Sequence, residues 1–389
     1  MQLMTRLHAS CLVAATLAFG CCDFPCETIP IVSWGGIPSE KSAELFPLLK
    51  ECGIDCHLGF YPSDETVVEA LDAAEASGIG LMPGCLSLRE TPESFVPKIR
   101  NHPALAAYFL KDEPESEDIP WLKKAVIRID SLDHRHPAYV NLYPNWAWNV
   151  DEYAGRIGRF ASEVDVKFFS FNQYPVLEKD GTLSIRPDWY RNLEEFSAMA
   201  KNHSKSFWAF ALTESHHLET PEDHIFYPVP TLGQLRLQVF SDLLYGAQGI
   251  QYFTFRGMYD RNTLDKTPVF ELVKRVNAEI KGLSPVFLGC EVKGTWHLGD
   301  SIPSHTSSLT AMPDRRVRSI RSTGDAIVSL IENHGKTFLA VQNRDCALPC
   351  IIHVEFQGKT RQILKDGRLE RFDNDPVHLD PGDAVIFQL

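Results

Sequence analysis

The chain has 389 residues, 44% of them hydrophobic and 23% charged, proportions that suit a soluble globular protein with one large domain and one small one. Its formal net charge of -13 argues against nucleic acid or an anionic membrane surface, because holding phosphates requires a basic footprint.

The N-terminal residues stand apart. Arg6 and His8 precede an apolar stretch, Cys11 to Phe19, that is too short to cross a bilayer. It ends at Gly20-Cys21-Cys22, which resembles a bacterial lipoprotein signal over residues 1–21. That resemblance implies export to the cell envelope, at the outer membrane or in the periplasm. The membrane would be touched only through a lipid on Cys21 (Cys22 being the weaker choice), and plain secretion is the alternative. Among the other cysteines, Cys52/Cys56 and Cys346/Cys350 are C-x3-C pairs without the spacing of a zinc ribbon. Neither a structural metal nor a cofactor is expected. In an exported chain a Cys346–Cys350 disulfide is the best candidate pairing, and the remaining thiols are expected in the core.

From Ile29 onward, apolar runs alternate with amphipathic stretches. The runs begin at Ile29, Ile54, Ile79, Leu105, Ala138, Val166, Phe207 and Ile250. The intervening helices are predicted from Ser39 to Leu49, Asp64 to Ala76, Trp121 to Leu132, Glu152 to Ser162, Pro187 to Lys201, Leu232 to Tyr245 and Pro268 to Leu283. Pro97 weakens any long helix before the fourth run, and the segment from Asn101 is irregular. Eight runs in about 230 residues match a (β/α)8 TIM barrel, placed here at 27–288. After Leu288 the pattern turns to short alternating runs between Gly, Asn and Asp turns, which predicts a small C-terminal antiparallel β-sandwich over 289–389.

The fourth run is Y-F-L-K-D-E-P, Tyr108 to Pro114. Acidic groups at the tip of a buried strand are costly unless paired, solvated or used, and a barrel gathers its catalytic groups at such tips. The seventh run ends A-L-T-E, so Glu214 stands on the same rim. Strict alternation brings Lys111 to the same side as Glu113, where it would favour an ionised carboxylate; a bend near the tip would break that parity. Glu219, Glu222 and Asp223 are alternatives to Glu214. G-x-S-x-G, H-E-x-x-H and P-loop motifs are absent. The triplet His134-Arg135-His136 precedes the fifth run, on the face of a barrel that serves stability.

D-E-P at Asp112–Pro114, with Glu214 at the end of the seventh run, resembles the clan-A glycoside hydrolases. Asp112 stands where family 5 enzymes usually carry Asn, and a barrel followed by a sandwich is similar to family 42 β-galactosidases and family 158 β-glucanases. The resemblance implies a retaining hydrolase of a β-linked oligo- or polysaccharide, with Glu113 as acid/base and Glu214 as nucleophile. It puts Tyr174, in F-N-Q-Y-P, beside the nucleophile. By position, Asp112, Tyr143, Asn145, Trp146, His216 and Arg256 would line the cleft, with Trp148 and His217 nearby. The alternative is a surface lipoprotein that binds glycan on a barrel without catalysis.

Overall fold

The computed structural model describes residues 27–219, 224–260 and 262–389. The expected signal and Cys21 lie outside the described residues, as do Glu222 and Asp223. Each of the eight apolar runs forms a strand: β1 (Ile31–Trp34), β2 (Cys56–Phe60), β3 (Gly80–Gly84), β4 (Tyr108–Asp112), β5 (Ala138–Asn141), β6 (Phe168–Asn172), β7 (Ser206–Leu212) and β8 (Ile250–Phe253). Six of them form a curled parallel sheet in the order β3-β2-β1-β8-β7-β6, and β4 pairs with β5. Parallel bridges at Leu81–Leu105 and Leu142–Phe171 join the two pieces.

Alternation along β7 explains why its run is apolar throughout. Phe207, Ala209 and Ala211 pack towards the helices, whereas Trp208 joins a cluster that takes a side chain from each of β1 to β7, among them Val32, Leu58, Met82, Phe109, Tyr139 and Phe168. Phe168 and Trp208 stack there at 4.2 Å. Strands buried on both faces read as continuous hydrophobic runs, and this plug forms the floor under the strand tips.

Nine helices are described: α1 (Ser39–Glu51), α2 (Asp64–Ser77), α3 (Leu86–Glu90), α4 (Pro92–Ile99), α5 (Ile119–Leu132), α6 (Val150–Glu163), α7 (Trp189–Asn202), α8 (Leu232–Leu244) and α9 (Pro268–Phe287). Helix α2 starts on a Ser63/Thr66 capping box and stops at Gly78, whose φ of 66° ends the helix at little steric cost. Helices α3 and α4 lie before Asn101, where no helix was predicted, and Pro97 sits inside the short α4; residues 101–107 form no helix, as expected. His136 and Tyr108 both bond Asp133, at 2.6 and 2.7 Å, so the His134–His136 triplet anchors the turn before β5.

Strands β9 (Glu291–Leu298), β10 (Val317–Ser322), β11 (Ala326–Asn333), β12 (Lys336–Asn343), β13 (Cys350–Phe356), β14 (Thr360–Ile363), β15 (Leu369–Phe372), β16 (Val377–Leu379) and β17 (Ala384–Gln388) complete the chain. They form two antiparallel sheets, β9-β11-β12-β17-β14-β15 and β10-β13-β16. On β11, Ala326 and Val328 face the core between the sheets, and Ile327 and Ile331 face the main core. Gln342 donates to the Leu237 carbonyl of α8 at 3.1 Å, and Asn333 to the Leu288 carbonyl just beyond α9 at 2.8 Å. Helix α8 is therefore buried on every side. Cys346 and Cys350 are free thiols, contrary to the expected disulfide. Cys346 belongs to the main core and Cys350 to the core between the sheets, so the two side chains serve different cores.

One element had no counterpart in the sequence reading. Val176–Lys179, Thr182–Ile185, His216–Glu219 and His224–Tyr227 form a four-stranded antiparallel sheet, built from the segments that follow β6 and β7.

Candidate active site

The tip of β4 departs from simple alternation. Its register with β5 slips between Phe109 and Lys111, so Leu110 is an extra residue and both Leu110 and Lys111 turn outward. Leu110 enters the main core, and Lys111 pairs at 3.3 Å with Asp118, the residue before α5. The lysine expected beneath Glu113 is thus removed, and the bend is the reading that holds. Asp112 then pairs with Asn141 across the strands. Glu113 has a φ of 47°, a left-handed conformation that costs a residue other than glycine about 1–3 kcal/mol. Its N–H donates to the Asn141 carbonyl at 2.8 Å, which pins the turn.

Both carboxyls enter one directed hydrogen-bond chain. Tyr139 donates to Gln251 Oε1 at 2.6 Å, Gln251 to Ser170 Oγ at 2.8 Å, and Ser170 to Asn141 Oδ1 at 2.8 Å. Asn141 Nδ2 donates at 2.9 Å to both Asp112 Oδ1 and Asn172 Oδ1. Asn172 Nδ2 donates to Glu113 Oε1 at 2.8 Å. Four strands contribute to this chain, β8, β6, β5 and β4, through Gln251, Ser170 and Asn172, Tyr139 and Asn141, and Asp112.

Burial raises the Asp112 carboxyl above its ordinary pKa, against the Asn141 hydrogen bond. Burial also raises Glu113; the Asn172 bond opposes this, and the Asp112 and Glu115 charges add to it. Tyr143 is pushed up to about 12 by burial and by the Glu113 charge. A protonated carboxyl near neutral pH is the state that proton donation requires.

These groups open into a cavity of about 500 Å³, the size of a small-ligand site. Of the residues expected there, Asp112, Glu113, Tyr143, Trp146, Tyr174 and His216 line it. So do Phe253, which the end of the eighth run places in the core or the cleft wall, and Trp34, Asn141, Asn172, Gln173, Phe210, Leu218 and Tyr227, which the sequence did not single out. Tyr174 packs edge-on to Tyr227 at 5.7 Å, and His216 stacks on Tyr227 at 4.6 Å.

Three expected residues stand elsewhere. Asn145 is buried behind the wall, accepting from Gln173 at 3.0 Å and donating to the Asp188 carbonyl at 3.0 Å. Glu214 and Arg256 are not in the lining; they form an ion pair at 3.3 Å. The Thr254 hydroxyl also donates to Glu214 Oε2 at 2.6 Å. Both of these contacts use Oε2, and Oε1 accepts from no described residue. Trp148 packs edge-on to Tyr143 at 4.4 Å and under Arg156, and His217 packs at a tilt against Phe226. Among the described residues, no three His, Cys, Asp or Glu side chains gather as a metal site would need.

No protein-family model matches the chain, and no curated protein matches it. Solved structures similar to it include glycoside hydrolases. An FMN-binding β-glucuronidase from Facaelibacterium prausnitzii L2-6 is 9% identical, with a TM-score of 0.43 over 91% of this chain and 56% of that one. A β-glucosidase, 1317, is 11% identical with a TM-score of 0.42, over 61% and 87%. The Thermobacillus composti GH10 xylanase is 10% identical with a TM-score of 0.39, over 64% and 96%. An aldolase from Desulfitobacterium hafniense, with a TM-score of 0.37, and a tryptophan synthase from M. tuberculosis, with one of 0.42, are similar to the same degree. The chain spans about half the length of some of these proteins, 53% of a mandelate racemase-type chain from Sorangium cellulosum. Likenesses this slight favour none of these chemistries over another.

Proposed function

We propose that the chain is a glycoside hydrolase acting on a β-linked oligo- or polysaccharide, working in the cavity above β4 to β8. Its eight parallel strands would form one (β/α)8 barrel over 27–288, with 289–389 as a buttress behind it. The observation that carries this reading is Glu113: a carboxyl raised by burial, fixed through Oε1 to Asn172 at 2.8 Å, set in an aromatic cavity of small-ligand size. An aromatic wall suits sugar rings, which offer flat apolar faces to stack on. Among the described residues, the lining includes no Lys or Arg, which fits an uncharged sugar.

In the proposed reaction Glu113 gives its proton to the glycosidic oxygen as that bond breaks. Glu214 Oε1 attacks the anomeric carbon, and the departing sugar leaves as an alcohol. Glu113, now ionised, takes a proton from water, whose oxygen displaces Glu214 from the same carbon. Two inversions give net retention. Thr254 and Arg256 hold Oε2 and leave Oε1 for bond formation. Export and a lipid anchor on Cys21 would place this activity at the cell envelope.

A second reading, glycan binding without turnover, is favoured by one observation: Glu214 is not among the side chains lining the cavity. A glycan-panel screen with the mature chain separates the two. Hydrolysis that disappears in Glu113→Gln supports the hydrolase; retention of glycan without turnover supports the binding protein.

A further inference from the structure

The rim of the cavity is uneven, and the unevenness bears on how a glycan enters. After β1 only residues 35–38 intervene before α1; after β2 only 61–63 precede α2, and after β3 only Cys85 precedes α3. After β6 the chain runs through 173–188 before α7, and after β7 through 213–231 before α8. Those two long segments form the four-stranded sheet, which supplies His216, Leu218 and Tyr227 to the cavity wall. No lining side chain comes from β2 or β3.

The high wall is stitched together rather than loose. Phe226 pairs with Glu178 between the two excursions. Arg186 donates from Nη2 to the Tyr227 hydroxyl at 3.0 Å and lies 4.8 Å over the Trp146 ring. It therefore joins both excursions to the turn after β5, and it is itself 8% exposed. A polymer lying across the site would have to pass through this wall.

We infer that the cavity is a blind pocket that takes one end of a glycan chain, entering over the low rim of β1 to β3, so that the enzyme removes short units from that end and does not cut internally. The inference rests on the glycan reading of this cavity. A volume of about 500 Å³ is that of a small-ligand site.

The test is binding stoichiometry. The full chain carrying Glu113→Gln is titrated calorimetrically with cello-, laminari-, xylo- and galacto-oligosaccharides, and then with the parent polymers. The expected result is a single protein bound per glycan chain, unchanged as the chain lengthens. A number bound that grows with chain length would overturn the inference, as would failure to bind any of these glycans. The native chain is assayed in parallel, which keeps the two claims apart. End binding without hydrolysis would remove the hydrolase reading and leave the blind pocket standing; hydrolysis with an early ladder of internal fragments would do the reverse.

Discussion

Asn172 donates from Nδ2 to Oε1 of Glu113 at 2.8 Å, and its own side-chain oxygen is held by Asn141 at 2.9 Å. The amide cannot turn over without losing both bonds. Oε1 of Glu113 is thus an acceptor, which in the proposed reaction leaves Oε2 to carry the transferable proton.

Two substitutions around Glu113 should move the pH profile in opposite directions. In the proposed mechanism activity requires protonated Glu113, so the rate is expected to fall as pH rises through its pKa. The Asp112 charge raises that pKa and the Asn172 bond lowers it. Asp112→Asn should shift the alkaline limb of kcat/KM to lower pH, and Asn172→Ala should shift it to higher pH. Shifts of the same sign would separate Glu113 from the limb.

Glu113→Gln should lower turnover by about 10²–10⁴-fold, the usual worth of a positioned general acid, and should also stabilise the fold. The sign follows from linkage. The pKa of Glu113 in the folded chain lies above its ordinary value of 4.5, so the folded state holds more protons between those two values. Stability therefore declines as pH rises from 4.5 through the folded pKa. The variant escapes that decline, so its Tm should exceed that of the native chain at neutral pH and converge with it in acid. Thermal unfolding at both pH values checks this.

Arg186→Ala should weaken substrate binding through the wall, without touching the reacting groups. It removes a cation over Trp146, worth about 0.5–2 kcal/mol, and a hydrogen bond to Tyr227, worth about 1 kcal/mol. A rise in KM of about tenfold is expected, with kcat nearly unchanged, in steady-state kinetics on a short glycan.

Arg236 joins helix α8 to α9 and to the C-terminal strands, bonding Glu279 at 3.0 Å and Asp383 at 3.2 Å. Arg236→Ala leaves Glu279 with the more exposed Arg275 alone and Asp383 with Lys365 alone. Denaturant unfolding should show a loss of about 3–5 kcal/mol, as for other broken buried pairs.

The strands and most helices were legible because burial on two faces demands continuous apolar runs, and helix faces repeat at their own period. Glu113 was legible because two acids at a strand tip are costly without a use. Its geometry was not. A bulge at Leu110 and a φ of 47° at Glu113 are set by pairing with β5, which alternation along one strand does not encode. The hairpin 176–185 did carry a signal: Asp180-Gly181, with φ of 52° and 72°, is the dipeptide of a tight two-residue turn. Asn172 and Gln173 stood next to Tyr174 in F-N-Q-Y-P, yet amides have no motif of their own. Cys346 and Cys350 are close in sequence but belong to two cores, and spacing alone does not reveal which way a side chain faces.

The pairing of Glu113 with Glu214 at one anomeric carbon is tested most directly by trapping the covalent intermediate. The native chain is incubated with an activated glycoside carrying fluorine beside the anomeric carbon, using the sugar identified by the glycan panel, and then digested for mass spectrometry. The account predicts one glycosyl unit attached to the peptide containing Glu214, at its side-chain carboxyl. An adduct on Asp112, or product of inverted configuration with no adduct at all, would contradict it.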